Sequence, residues 1–189
     1  MNDREDCIII IGPMGVGKTT LAKRLAQKLS LPYIGCDKLR FRYFEKMPSY
    51  DKKMVQKLLY GLDPFAYYKY MNPYELAFIE QILKGYKRGI FDFGAGHSIY
   101  EEQIHLQKMT ELLAPYPHVI FLRYSKDAEE SIEALSKRRF QKNRKRRDFY
   151  NVLNGIYIRS SCNQKFAKYI IDTKGVTKQE VLNHILRIL

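Results

Sequence analysis

The chain has 189 residues and a formal net charge of +13, with 33 Lys plus Arg against 20 Asp plus Glu. That length suits one domain with a self-sufficient core, and the scattered Cys7, Cys36 and Cys162 exclude both a disulfide framework and a C-x-x-C zinc site. A charged opening followed by a short apolar run argues against a signal peptide or a membrane span, so the expectation is a cytoplasmic protein, monomeric or weakly dimeric, whose basic surface admits polyanions without choosing among them.

The β-branched run Cys7-Ile8-Ile9-Ile10-Ile11 predicts a first strand over 7–12. It leads into Gly12-Pro13-Met14-Gly15-Val16-Gly17-Lys18-Thr19-Thr20, which fits the phosphate-binding pattern G-x-x-x-x-G-K-[ST] between a strand and a helix. Glycines let successive backbone N–H groups turn toward phosphate oxygens, and the helix adds its positive end to the same anion. Lys18 is expected to reach the β- and γ-phosphates of ATP, and the Thr19 hydroxyl to help hold Mg²⁺. Leu21, Leu25 and Leu29 give that helix, about 18–29, its apolar side. A short second strand, Tyr33-Ile34-Gly35-Cys36, ends on Asp37.

Residues 38–88 read as a long, mostly helical excursion with breaks near Pro48, Gly61-Leu62-Asp63-Pro64 and Asn72-Pro73. Asn72, Pro73 and Glu75 fit the N-cap, N1 and N3 positions of a helix running through Ile82. The many aromatic residues here, among them Phe41, Phe44, Tyr50, Tyr67, Tyr74 and Phe78, either stack on a substrate or pack the subdomain against itself.

Gly89-Ile90-Phe91-Asp92-Phe93 predicts the third strand, opening into Gly94-Ala95-Gly96-His97-Ser98 and a helix at about 99–114. His118-Val119-Ile120-Phe121-Leu122 is continuously apolar, as a strand buried on both faces requires. Ser125 or Asp127 can cap the next helix, which runs into Lys137 to Arg147, where eight of eleven residues are basic. A further helix covers about 149–166. Tyr169-Ile170-Ile171-Asp172 is the last strand, and Thr177 with Glu180 makes a capping box for a terminal helix bearing Val181, Leu182, Ile185, Leu186 and Leu189. Alternating strands and helices predict a parallel sheet covered by helices.

In this order the pieces resemble the P-loop kinases of nucleoside monophosphates and small metabolites, most closely the shikimate kinase family. The resemblance is carried by Gly12 to Thr20, by Asp37 after the second strand, by Gly94-Ala95-Gly96 after the third, and by Arg159 eight residues before Ala167. It implies a three-layer α/β P-loop NTPase fold forming one domain over 1–189. Its five-stranded parallel sheet, in the order 2-3-1-4-5, is flanked by helices, with an acceptor-binding helical insert over 38–88 and a lid over 138–149. It also implies ATP and Mg²⁺ as cofactors, a small-molecule acceptor, and acceptor contacts at Asp37, Gly94, Ala95, Gly96 and Arg159. The chain departs from the family at Gly35-Cys36-Asp37, where D-x-D is usual, at Tyr70 to Glu75, where the arginine of F-R-x-x-E is missing, and at Asn163, where a tyrosine is usual.

Phosphoryl transfer needs alignment and charge neutralisation, so the candidate groups are a lysine, a metal, a carboxylate and arginines. Lys18 and Thr19 serve the first two. Asp37, at the carboxyl end of a strand, is the first choice to orient or deprotonate the acceptor hydroxyl, against the plainer role of capping the next helix. Asp92 has the setting of a carboxylate that holds Mg²⁺ through water and can replace the first aspartate of D-x-D. His97 is read as structural. In the basic run, Arg138, Arg139, Arg144 and Arg147 are candidates to close on the transferred phosphoryl group; the run reads otherwise as a nucleic-acid surface or a solvated helix face. Asn143-Arg144-Lys145-Arg146 lacks the aspartate of N-K-x-D, so guanine specificity has no visible basis. The expected activity is transfer of the ATP γ-phosphate to a hydroxyl or phosphate of a metabolite. The alternatives are a nucleoside or nucleotide kinase, or an ATP-binding module that binds nucleic acid.

Overall fold

A computed structural model of the chain describes residues 4–138 and 144–189. Its centre is strand β1 (Cys7–Ile11), buried at every position. A strand alternates its side chains between two faces, and β1 uses both: Cys7, Ile9 and Ile11 join one apolar cluster, Ile8 and Ile10 the other. Five parallel strands follow from this, β2 (Tyr33–Gly35), β3 (Gly89–Asp92), β1, β4 (His118–Arg123) and β5 (Tyr169–Asp172), in the spatial order β2-β3-β1-β4-β5. The predicted order is therefore the observed one.

Helix α1 (Lys18–Leu29) lies on the second face with Leu21, Ala22 and Leu25 buried, beside α9 (Lys178–Ile188). Thr177 and Glu180 make both halves of the expected capping box, and Val181, Leu182 and Ile185 are buried while Leu189 is exposed. The first face carries α2 (Cys36–Phe44), α3 (Lys52–Gly61), α4 (Pro64–Gly85), α5 (Gln103–Leu113), α7 (Arg144–Arg159) and the short α8 (Cys162–Phe166). The remaining helix, α6 (Ala128–Lys137), is capped by Asp127, whose carboxylate accepts from the Glu130 N–H.

Two expectations fail here. No helix starts at Asn72: α4 begins at Pro64, capped by Asp63, and runs through Pro73. Proline removes one backbone donor and crowds the preceding turn, yet Tyr68, Met71, Leu76, Phe78 and Ile79 on either side are buried, and that packing carries the helix across. Asn72 does not cap but donates from Nδ2 to the Ile99 carbonyl at 2.6 Å. The helix expected over 149–166 is two, α7 starting five residues earlier and α8 following a break at Ser160 and Ser161.

The aromatic residues of 38–88 mostly pack on one another. Phe44, fully buried, touches Phe41, Tyr50, Tyr74 and Phe78 at ring distances of 5.4–6.2 Å.

Candidate active site

Most of the candidate residues gather at the carboxyl ends of β1, β2 and β3, where open parallel sheets place their sites. In the phosphate loop, Gly12 has φ +139°, and a Cβ there would meet the Leu122 carbonyl oxygen of β4 at 2.2 Å. Gly17, at φ +109°, is the left-handed N-cap that turns the loop into α1. Lys18 is buried and donates from Nζ to the Gly12 and Pro13 carbonyls at 2.7 and 2.9 Å, holding the ammonium inside the loop. Met14 is held from outside: its N–H donates to Asn154 Oδ1 at 2.8 Å and its carbonyl accepts from Asn154 Nδ2 at 3.1 Å. Sequence reading missed Asn154, because nothing in a helical asparagine 140 positions away points to this loop.

Asp92 ends β3 in register with Ile10 of β1 and Gly35 of β2. Its Oδ2 accepts from the Thr19 hydroxyl at 2.7 Å and from the Tyr33 hydroxyl at 2.8 Å. The position that lacks the usual carboxylate, Gly35, thus lies directly across the ladder from one that carries it. Burial and the neighbouring Asp92 carboxylate push the Tyr33 phenol above its ordinary pKa, so it remains a donor. A Thr hydroxyl and an adjacent carboxylate are the hard oxygen donors Mg²⁺ requires, and the fit is good. Among the described residues no three His, Cys, Asp or Glu side chains cluster as a set that could hold a metal ion.

The other half of the candidate site is built around Asp37. Asp37 stands in the first turn of α2, whose N-cap is Gly35 without a side-chain cap, so Asp37 is not the capping residue. Its carboxylate lies over Gly94, where an added Cβ would sit 2.3 Å from Oδ1. Behind it is an ion cluster that sequence reading did not foresee. Arg40 Nη1 donates to Glu75 Oε1 at 2.9 Å and stands 3.6 Å from Asp37 Oδ1. His97, fully buried, accepts from the Gly94 N–H through Nδ1 at 2.8 Å. Its Nε2 is 2.8 Å from Glu75 Oε2, close enough for attraction though off the line of a good hydrogen bond, and 4.0 Å from Asp37.

Burial alone would push the Glu75 carboxyl up, but His97 and Arg40 outweigh it and hold Glu75 below its ordinary pKa. Burial disfavours the Arg40 charge, and Glu75 and Asp37 more than compensate, so Arg40 remains cationic. Arg40, three residues after Asp37 on a helix, was the one available signal for this cluster. Burial raises the pKa of the neighbouring Cys36 thiol far above normal, leaving it an unreactive core group.

Gly96 is closed from the other side. The Tyr157 hydroxyl lies 3.0 Å from where its Cβ would stand, and Tyr67, Tyr68 and Tyr157 leave a void of only about 10 Å³ against Glu75 and Gly96. Ala95 is buried. Arg159 forks onto Glu129 of α6 at 2.8–3.1 Å rather than turning to Asp37. Arg144 opens α7 at the surface. Arg139 lies outside the described residues. Arg138, the residue before it, places its guanidinium 5.2 Å from the Tyr124 ring and lines a cavity of about 410 Å³ beside Gly15, Gly17, Thr20 and Arg24.

Comparison with known proteins agrees with this geometry. The ATPase family associated with various cellular activities (AAA) matches residues 8–154. A shikimate kinase of Enterococcus faecalis is 28% identical over 190 residues, covering 96% of this chain and 97% of that protein. Among solved structures, shikimate kinase from Acinetobacter baumannii in complex with shikimate superimposes with a TM-score of 0.65 at 16% identity, covering 98% of this chain and 93% of the other. The YorR protein of Bacillus subtilis, in complex with phosphorylated GDP, gives a TM-score of 0.53 at 15% identity over 96% of this chain and 94% of the other. The chain belongs to the ATPase family associated with various cellular activities, and its fold is that of the shikimate kinase-like P-loop kinases.

Proposed function

We propose that this protein is an ATP-dependent phosphotransferase that moves the γ-phosphate to a hydroxyl of a small metabolite. The reading rests above all on β3, whose end joins the two halves of the reaction. Asp92 accepts the Thr19 hydroxyl on the donor side, and Gly94, two residues on, receives the Asp37 carboxylate on the acceptor side. Lys18 leaves the loop carbonyls for the β- and γ-phosphates, and the loop N–H groups from Gly15 to Thr19 hold the phosphate chain. The nucleoside end occupies the cavity beside Thr20, Arg24 and Arg138.

Thr19 and Asp92 would hold Mg²⁺, which when bound would neutralise charge on the transferred group. Asp37 orients the acceptor hydroxyl and takes its proton, with Arg40 and Glu75 fixing the helix that carries it. The insert over 38–88 forms the acceptor side, and the basic segment over 138–149 supplies arginines to the phosphates.

The test is ADP release across a panel of hydroxylated metabolites and nucleosides, with Lys18→Ala as control. Acceptor-dependent release that disappears in the variant is expected. Release that ignores every acceptor, or strong RNA binding that survives Lys18→Ala with no turnover, would instead favour the nucleic-acid-binding module.

A further inference from the structure

The geometry points to Tyr33 as the positioning residue of the metal site, holding the Asp92 carboxylate in the orientation in which it receives Mg²⁺. This rests on the reading that Thr19 and Asp92 hold the ion. Three observations carry it. First, the Tyr33 hydroxyl donates to Oδ2 of Asp92 at 2.8 Å, the same oxygen that accepts from Thr19 at 2.7 Å. Two donors on one oxygen fix the carboxylate's rotation, and a metal-binding carboxylate loses affinity when such a partner is removed.

Second, the Tyr33 ring occupies the space above Gly35. A Cβ at that position would lie 2.9 Å from the Tyr33 oxygen and 3.0 and 3.1 Å from ring carbons. Gly35 has φ −82°, so no backbone requirement demands glycine there. Its absent side chain is the condition for the phenol to reach across the ladder to Asp92, with which Gly35 is in register. The exchange is thus concerted, with a carboxylate on β3, a glycine opposite it on β2, and a tyrosine two residues earlier filling the gap.

Third, the donor is neutral. A lysine or arginine in this place would cancel the carboxylate charge and repel the cation, whereas a phenol orients the oxygen and leaves its charge to the metal. The Lys23 ammonium lies over the face of the ring, 5.6 Å from its centroid, rather than at the phenol oxygen.

The experiment measures Mn²⁺ binding to the protein–ADP complex by electron paramagnetic resonance, beside metal-free ADP binding by calorimetry, for the wild type, Tyr33→Phe, Gly35→Ala and Asp92→Asn. Tyr33→Phe keeps the ring and removes one hydrogen bond. About 10-fold weaker Mn²⁺ binding is expected, with metal-free ADP affinity unchanged. Gly35→Ala leaves the phenol intact but pushes it off Asp92, and should weaken Mn²⁺ binding in the same direction, which covers the case in which Tyr33→Phe folds poorly. Wild-type Mn²⁺ affinity in a folded Tyr33→Phe or Gly35→Ala protein overturns the assignment of Tyr33. If Asp92→Asn also binds Mn²⁺ normally, the metal site itself is wrongly placed; if only Asp92→Asn loses the ion, the site stands and Tyr33 has no part in it.

Discussion

At the scale of single residues, the site carries charged groups close to the positions where the chain departs from the family it resembles. The carboxylate missing at Gly35 is found at Asp92, its partner across the β2–β3 ladder. Asp92→Asn keeps the shape but removes the charge, so the Mg²⁺ concentration for half-maximal turnover should rise about 10- to 100-fold, read from a Mg²⁺ titration at fixed ATP. The guanidinium that meets Glu75 of α4 comes from α2, on Arg40. Removing the guanidinium leaves the buried Glu75 carboxylate without its hydrogen-bonded cation. Arg40→Ala is therefore expected to cost about 3–5 kcal/mol in chemical denaturation.

Glu75 also sets a pH dependence. Its carboxyl is held below its ordinary value in the folded protein, so its contribution is complete above the unfolded value, near pH 4.3, and disappears as pH falls through the lower folded value. The stability difference between wild type and Glu75→Gln should therefore shrink as denaturation midpoints are taken from pH 6 down to about pH 3, and a difference that stays constant would contradict the assigned cluster.

Among the elements, α7 touches both the phosphate loop and the turn that follows β3. Asn154 binds both backbone groups of Met14, and Tyr157, one turn later on the same helix, reaches Gly96. Asn154→Ala leaves both Met14 groups without these partners, with an expected loss of about 1–3 kcal/mol. Its KM for ATP should rise with a smaller change in kcat; an unchanged KM would show that the loop holds its shape without α7.

Two similar patterns show how far sequence can be read. Thr177 with Glu180 is a real capping box because the preceding chain is a turn through Gly175, at φ +70°, and no helix is already running. Asn72 with Glu75 has the same look, but Asp63 and Pro64 have begun α4 two turns earlier, and the partners of Glu75 are Arg40 and His97. Local patterns mark places where a helix can start; which one is used, and where an acid finds its partner, depends on contacts made after the chain folds.

For the whole molecule, the strand order and the phosphate loop were legible because both depend on short-range features: an unbroken apolar run, glycines at fixed spacing, and alternation of strand and helix. The Tyr33–Asp92 pair, the Arg40–Glu75–His97 cluster and the Asn154 contact were not, since each joins residues from distant parts of the chain at the sheet's carboxyl edge. The same edge poses the main functional question, because membership of an ATPase family fits transfer of the γ-phosphate to an organic hydroxyl and transfer to water equally well. The direct measurement is to follow label from γ-phosphate-labelled ATP incubated with a mixture of hydroxylated metabolites. The account predicts label in an organic phosphate ester with the wild-type protein, and none with Lys18→Ala or Asp37→Asn. Label found solely in inorganic phosphate, at a rate indifferent to Asp37→Asn, would contradict it.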